Sequence, residues 1–155
     1  MNIEPTRKDD LAEILTLQKL AYRSEGEIYG DLSIQPLIQT LTQLREEFDS
    51  KIILKAVENR EIVGSVRGSI QDKIGMIEKL ITHPQHQGQG IGTALLDALE
   101  DRMMEADKFR LFTGHRSERN LAFYRKRGYV EFKQGPINDK LIFIWLEKDN
   151  DRRKF

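Results

Sequence analysis

The sequence predicts a single α/β domain (a mixed α+β sheet with helices packed on it), and three observations predict it. The chain has 155 residues, enough for one sizeable core and too few for two ordinary domains. Its apolar residues switch repeatedly between a period of two and a period of three to four, giving the order β-α-α-β-β-β-α-β-α-β-β. At its centre, residues 76–104 read as an apolar strand, a glycine-rich turn and an amphipathic helix.

Residues 1–4 form a short edge strand ahead of Pro5. Thr6 or Asp9 caps a helix carrying Leu11, Ile14, Leu15, Leu17 and Leu20. Residues 24–31 interrupt that period with Gly26 and Gly30. A second helix runs over 33–48, with Pro36 in its first turn and Leu37, Leu41, Leu44 and Phe48 on one face. The period then changes: strands over 51–57 and 62–70 flank the polar turn Glu58-Asn59-Arg60-Glu61, and Asp72-Lys73 turns into the strand 76–82. Pro84 ends that strand, because it cannot donate to a ladder. Ile91, Ala94, Leu95, Ala98, Leu99 and Met103 mark one face of the next helix. A strand follows over 109–113, then a helix from Ser117 with Leu121, Phe123 and Tyr124, stopped by Gly128. Strands over 129–133 and 140–147 close the chain around a Gly135-Pro136 turn. Residues 1–148 make the domain, and 149–155, D-N-D-R-R-K-F, a loose charged tail.

Composition excludes several classes of function. Lys plus Arg and Asp plus Glu both number 25, so the net charge is zero and there is no basic excess for nucleic acid or a membrane surface. The chain has no cysteine, hence no disulfide framework and no thiol nucleophile. His83, His86 and His115 lack metal-ligand spacing and read as structural or surface residues. With no apolar leader and no run long enough to span a bilayer, the expected compartment is the cytoplasm.

Between strand and helix sits Gln87-Gly88-Gln89-Gly90-Ile91-Gly92-Thr93. Alternate glycines let the backbone approach a ligand without Cβ clashes, and the start of the helix offers free N–H groups and a positive dipole end to an anion. The dinucleotide pattern requires a third glycine at 93, where Thr stands, and the Gly-Lys-Ser/Thr ending of a P-loop is absent.

The stretch resembles the acyl-CoA signature of the GNAT superfamily of N-acetyltransferases, R/Q-x-x-G-x-G/A, with Gln87, Gly90 and Gly92 at its fixed positions. Residues 117–129, S-E-R-N-L-A-F-Y-R-K-R-G-Y, are similar to that family's carboxy-terminal motif, with Tyr124, Gly128 and Tyr129 in place. Ser117 stands where the family often has Asn, and Asn120 where it often has Ala. The element order matches the family's, so the resemblance covers nearly the whole chain.

The resemblance implies transfer of an acetyl group from acetyl-CoA to a primary amine by direct attack in a ternary complex, with no metal. Backbone groups of Leu80, Ile81 and Thr82 would hold the pantetheine arm, on a strand that a bulge splays from its neighbour. Residues Gln87, Gly88, Gln89, Gly90, Ile91, Gly92 and Thr93 would hold the pyrophosphate, and Ser117 or Asn120 a pantetheine amide. Tyr124 is the candidate general acid for the departing thiolate, against the alternative that it packs beside Phe123. Glu78 is the candidate base: it shares a strand face with Met76, where some members carry a glutamate. The alternative pairs Glu78 with Lys79 or Arg67.

The acceptor rim takes in Tyr22, Glu25, Glu27, Tyr29 and Asp31, carboxylates beside aromatic rings that suit a cation on a small molecule or a protein. Exposed strand edges in such folds often pair as dimers, which allows a homodimer, although the sequence does not give the oligomeric state. A second class of function is an acyl-CoA-sensing or partner-binding module without turnover. A degenerate glycine loop or a missing Tyr124 would favour it, and both features are intact.

Overall fold

The computed structural model describes residues 1–154. Its seven strands, β1 (Asn2–Pro5), β2 (Ile52–Glu58), β3 (Glu61–Gln71), β4 (Ile74–Thr82), β5 (Lys108–Gly114), β6 (Val130–Pro136) and β7 (Ile142–Asp149), form one sheet in the order β1-β2-β3-β4-β5-β7-β6. Only β4 and β5 are parallel. Two-residue turns at Asn59-Arg60 and Asp72-Lys73 join β2 to β3 and β3 to β4, all four residues having positive φ. Such turns share the right-handed twist of the strands they link.

Five helices cover the sheet: α1 (Leu11–Ile28), α2 (Gln35–Ile38), α3 (Leu41–Ser50), α4 (Ile91–Asp101) and α5 (Glu118–Lys126). The alternation of β2 divides the core in two. Leu54 joins Val66, Ile77, Leu95, Leu99, Phe109 and Leu146 beneath α4, whereas Ile53 joins Leu11, Ile14, Leu17, Leu44 and Ile62 beneath α1 and α3. No described helix is long and apolar enough to cross a membrane.

Four expectations change. The helix expected over 33–48 is two, α2 and α3, separated at Gln39, whose ψ of 138° is extended. Thr40 caps α3, taking a hydrogen bond from Gln43 N while Gln43 Oε1 accepts from Thr40 N, a T-x-x-Q capping box readable in the sequence. The break expected over 24–31 is short, since α1 continues to Ile28 with Gly26 packed against Leu37. Gly135 and Pro136 lie within β6 opposite Phe143 and Ile142; a proline is tolerated there because β6 is an edge strand. The reversal comes at Asn138, whose side chain accepts from Lys140 N and Leu141 N at 2.8 and 3.0 Å.

The charged terminus is tied down as far as it is described. Asp149 ends β7, and the buried Asn150 donates to Met104 O and Ala106 O. Arg152 pairs with Glu100 and Asp101, and Phe155 lies outside the described residues.

Glu100 is the anchor of that end. Only 1% of its side chain is exposed, and it accepts from Tyr129 Oη at 2.7 Å, Lys148 Nζ and Arg152 Nη1. Burial pushes its pKa up, but Lys148, Tyr129 and Arg152 outweigh burial and hold it below the ordinary glutamate value. A depressed carboxylate stabilises the fold above its unfolded pKa, and that contribution fades as pH falls through the folded value. Glu100→Gln is therefore expected to lower stability by about 1.5–3 kcal/mol at pH 7. Urea unfolding at several pH values checks it, with the deficit shrinking at acid pH.

Candidate active site

The strands β4 and β5 pair only over Ile74–Met76 and Lys108–Arg110. Beyond that point they part, and a cleft of about 1340 Å³ opens between them. The cause lies in β4. Opposite β3, Ser65 faces Ile81 while Arg67 faces Glu78, so β4 carries an extra residue. Lys79 sits there with φ 54°. In an unbroken strand Ile77 and Ile81, four apart, would share a face. Instead Ile77 packs beneath α4 and Ile81 beneath α1 and α3. The bulge resets the alternation and bends the strand, leaving Leu80, Ile81 and Thr82 along the cleft with β3 on one side only.

One end of the cleft is the glycine loop. Gly88 and Gly90 have φ of 80° and 81°, conformations that a side chain strains. Gly90 starts α4 without a side-chain cap, so the first-turn N–H groups stay available to an anion. Gly92 is different: a Cβ there would meet Phe123 at 3.5 Å, an ordinary contact. The fold does not demand glycine at 92.

Arg119 Nη1 donates to Gln87 Oε1, and Arg127 to Thr93 Oγ1. Arg119 in the first turn of α5 and Arg127, the residue that follows the helix, bring positive charge to the loop. Of the loop residues predicted to bind, Gln89 is exposed and outside the cleft wall, while Ile91 lines the cleft although it is 2% exposed.

Tyr124 lines the middle of the cleft, 8% exposed, with Phe123 and Tyr129 edge-on to its ring at 5.5 and 6.0 Å. Burial pushes its pKa up and the Glu25 carboxylate pushes further, so the phenol keeps its proton at neutral pH. Tyr22 is raised in the same way, by burial first.

Glu78 also lines the cleft, where its Oε1 pairs with Lys51. Neither Lys79 nor Arg67 is its salt-bridge partner. Lys51 Nζ reaches Glu47 Oε1 at 2.8 Å, and Glu47 Oε2 accepts from the buried Arg67 at 2.9 Å, alongside Gln18 and Gln39. A connected set of charges thus backs the wall that Glu78 occupies. Lys79, which the sequence offered only as a partner for Glu78, borders the cleft too, and burial lowers its pKa.

Ser117 and Asn120 lie on the opposite wall and both donate to Glu25, at 2.5 and 3.4 Å. Tyr22, Tyr29 and Asp31 of the predicted rim line the cleft as well, whereas Glu27 pairs outward with Arg23. Two histidines are occupied structurally: His83 Nδ1 accepts from Gln85 N and His115 Nδ1 from Ile142 N; His86 Nδ1 stands 3.6 Å from Glu58 without a hydrogen bond. No group of His, Asp and Glu among the described residues is arranged to hold a metal ion.

A sequence model of the GNAT acetyltransferase family matches residues 11–129. Among solved structures, smu.2055 of Streptococcus mutans UA159 superposes with a TM-score of 0.84 at 15% identity, covering 97% of this chain and 100% of the other. The ribosomal-protein-S18-alanine N-acetyltransferase of Escherichia coli gives 0.78 at 15% identity, with 96% and 92% covered. The PaiA N-acetyltransferase of Thermoplasma acidophilum, solved with coenzyme A, gives 0.75 at 18% identity, with 96% and 99% covered.

The loop generates a test of its own. Gly92→Val leaves the backbone angles and the Phe123 contact tolerable but places methyl groups where a phosphate would meet the first turn of α4. The variant is expected to fold normally by circular dichroism. Its affinity for acetyl-CoA, read by calorimetry, should fall by about tenfold or more, a loss matching one charged hydrogen bond.

Proposed function

The chain belongs to the GNAT family of acetyltransferases, and on that premise we propose that it moves the acetyl group of acetyl-CoA to a primary amine by direct attack in a ternary complex. The single observation that carries this reading is the parting of β4 and β5, which sets the glycine loop, the unpaired edge of β4 and the Tyr124 phenol along one cleft. Acetyl-CoA supplies a thioester, an activated acyl group with a thiolate leaving group.

The residues of this chain divide the remaining work. The first turn of α4, with Arg119 and Arg127 beside it, binds the pyrophosphate. The edge of β4 at Leu80–Thr82 holds the pantetheine arm as an added strand would, and a backbone N–H there meets the developing oxyanion. Glu78, its charge balanced by Lys51, receives a proton from the ammonium so that the amine nitrogen can attack. As the C–N bond forms and the C–S bond breaks, Tyr124 gives its proton to sulfur and is reprotonated from solvent. The second amine proton leaves to solvent. Holding both partners in line in a cleft makes the attack effectively unimolecular.

Tyr124→Phe tests the assignment most directly. The ring and its packing stay, so stability and acetyl-CoA affinity should change little. Turnover should fall by about 100- to 10,000-fold, the usual contribution of a positioned acid, with the Michaelis constant for acetyl-CoA nearly unchanged. The measurement is release of free thiol with a panel of amines. A wild-type protein that binds acetyl-CoA and acetylates none of them would favour the sensing module. A Tyr124→Phe variant as fast as wild type, with chemistry limiting, would return Tyr124 to a packing role.

A further inference from the structure

Ser117 and Asn120 occupy the positions at which the GNAT motif would put a pantetheine contact, yet their side chains are engaged elsewhere. Ser117 Oγ donates to Glu25 Oε2 at 2.5 Å, and Asn120 Nδ2 approaches Glu25 Oε1 at 3.4 Å and Thr113 Oγ1 at 3.3 Å. Behind Ser117, Tyr29 Oη lies 2.8 Å from Oγ and accepts from Arg116 N at 3.0 Å. With Ser117's proton directed at Glu25, Tyr29 must donate to Ser117, so every donor in the chain points one way, from the backbone N–H of Arg116 to the carboxylate. Ser117 and Tyr29 are 2% and 4% exposed, which makes the arrangement internal. It is also sterically committed: a Cβ on Gly114 would fall 1.9 Å from Tyr29 Oη. Glu25 itself is only partly buried and faces the cleft, close enough to raise the pKa of Tyr124.

We propose that Glu25 is the carboxylate that receives the acceptor's ammonium group, and that Ser117, Asn120 and Tyr29 are positioning residues which hold that carboxylate rather than the pantetheine arm. A carboxylate steered by one-directional donors on one side keeps its remaining lone pairs for a cation on the other. The surroundings specify what carries the cation. Ile28, one turn along α1, and Ile137 are exposed on the same cleft, with Phe112 and Phe143 beside them. The acceptor class is therefore a primary ammonium on an apolar body, such as an arylalkylamine, in preference to a polycation.

This inference rests on the acetyltransferase reading, and the test separates the two. Glu25→Gln and Ser117→Ala are compared with wild type for acetyl-CoA binding by calorimetry, and for turnover with phenethylamine and with spermidine. The expected result is acetyl-CoA affinity within about twofold of wild type in both variants. The phenethylamine KM should rise by about tenfold or more in Glu25→Gln and by less in Ser117→Ala, as loss of a charged partner and of its support predicts. In wild type, phenethylamine should have the lower KM of the two amines. A Ser117→Ala variant that loses acetyl-CoA affinity while keeping its amine KM would overturn the proposal and return Ser117 to the pantetheine. An unchanged amine KM in Glu25→Gln, or a wild-type preference for spermidine, would overturn it as well. A wild type that binds acetyl-CoA but acetylates neither these two amines nor any of the panel refutes the acetyltransferase reading instead, and the calorimetric comparison then still decides where Ser117 acts.

Discussion

The extra residue in β4 is the constraint from which the rest of the molecule follows. Ile77 and Ile81 must enter different cores, one beneath α4 and the other beneath α1 and α3. An alternating strand cannot place residues four apart on opposite faces, so Lys79 adopts a left-handed conformation and the strand bends. A bent strand cannot stay in register with a straight parallel neighbour, and β5 departs after three residues. The cleft is thus bought with packing in two cores at once. Filling it in by straightening β4 would expose either Ile77 or Ile81.

Polar groups then furnish the cleft from both faces of the sheet. On the side of α1 and α3, the fully buried Arg67 is reached by Gln18, Gln39 and Glu47, and Lys51 extends that set to Glu78. Removing one member of such a network leaves others buried without partners, which is what makes it rigid. Gln39, extended where α2 and α3 part, places its side chain in this network. On the opposite wall, Tyr29 reaches from the end of α1 into the turn between β5 and α5, where only glycine at 114 leaves it room. The two walls differ in kind. One carries balanced opposite charges, and the other presents a carboxylate held by neutral donors.

Much of the fold and part of the site were legible in the residues. Period-two and period-3.6 patterns located every strand, and the helices α4 and α5, to within a few residues, because one-sided burial imprints its period on apolar positions; one expected helix covered both α2 and α3, and α1 runs on through the expected break. The glycine loop was legible because positive φ at Gly88 and Gly90 has few chemical solutions. The Thr40–Gln43 capping box was present and passed over, as was the turn chemistry of Asn138. Gly135-Pro136 misled because a proline reads as a turn wherever it falls, and only the sheet order shows that β6 is an edge where it can be accommodated.

By itself, the sequence determined the class of fold, the strand–loop–helix unit with its glycine turn, and the tyrosine set one motif further along, since all three depend on residues close together in the chain. Tertiary structure alone decided which charges meet. Glu78 finds Lys51, 27 residues away, and Glu25 finds Ser117, 92 residues away. The parity of β4 decided the first pairing, and the insertion of Tyr29 beside Gly114 frames the second. Neither is a local property: a bulge is fixed by the two cores that a strand must serve, and a hydrogen bond across a cleft by the walls that the sheet holds apart.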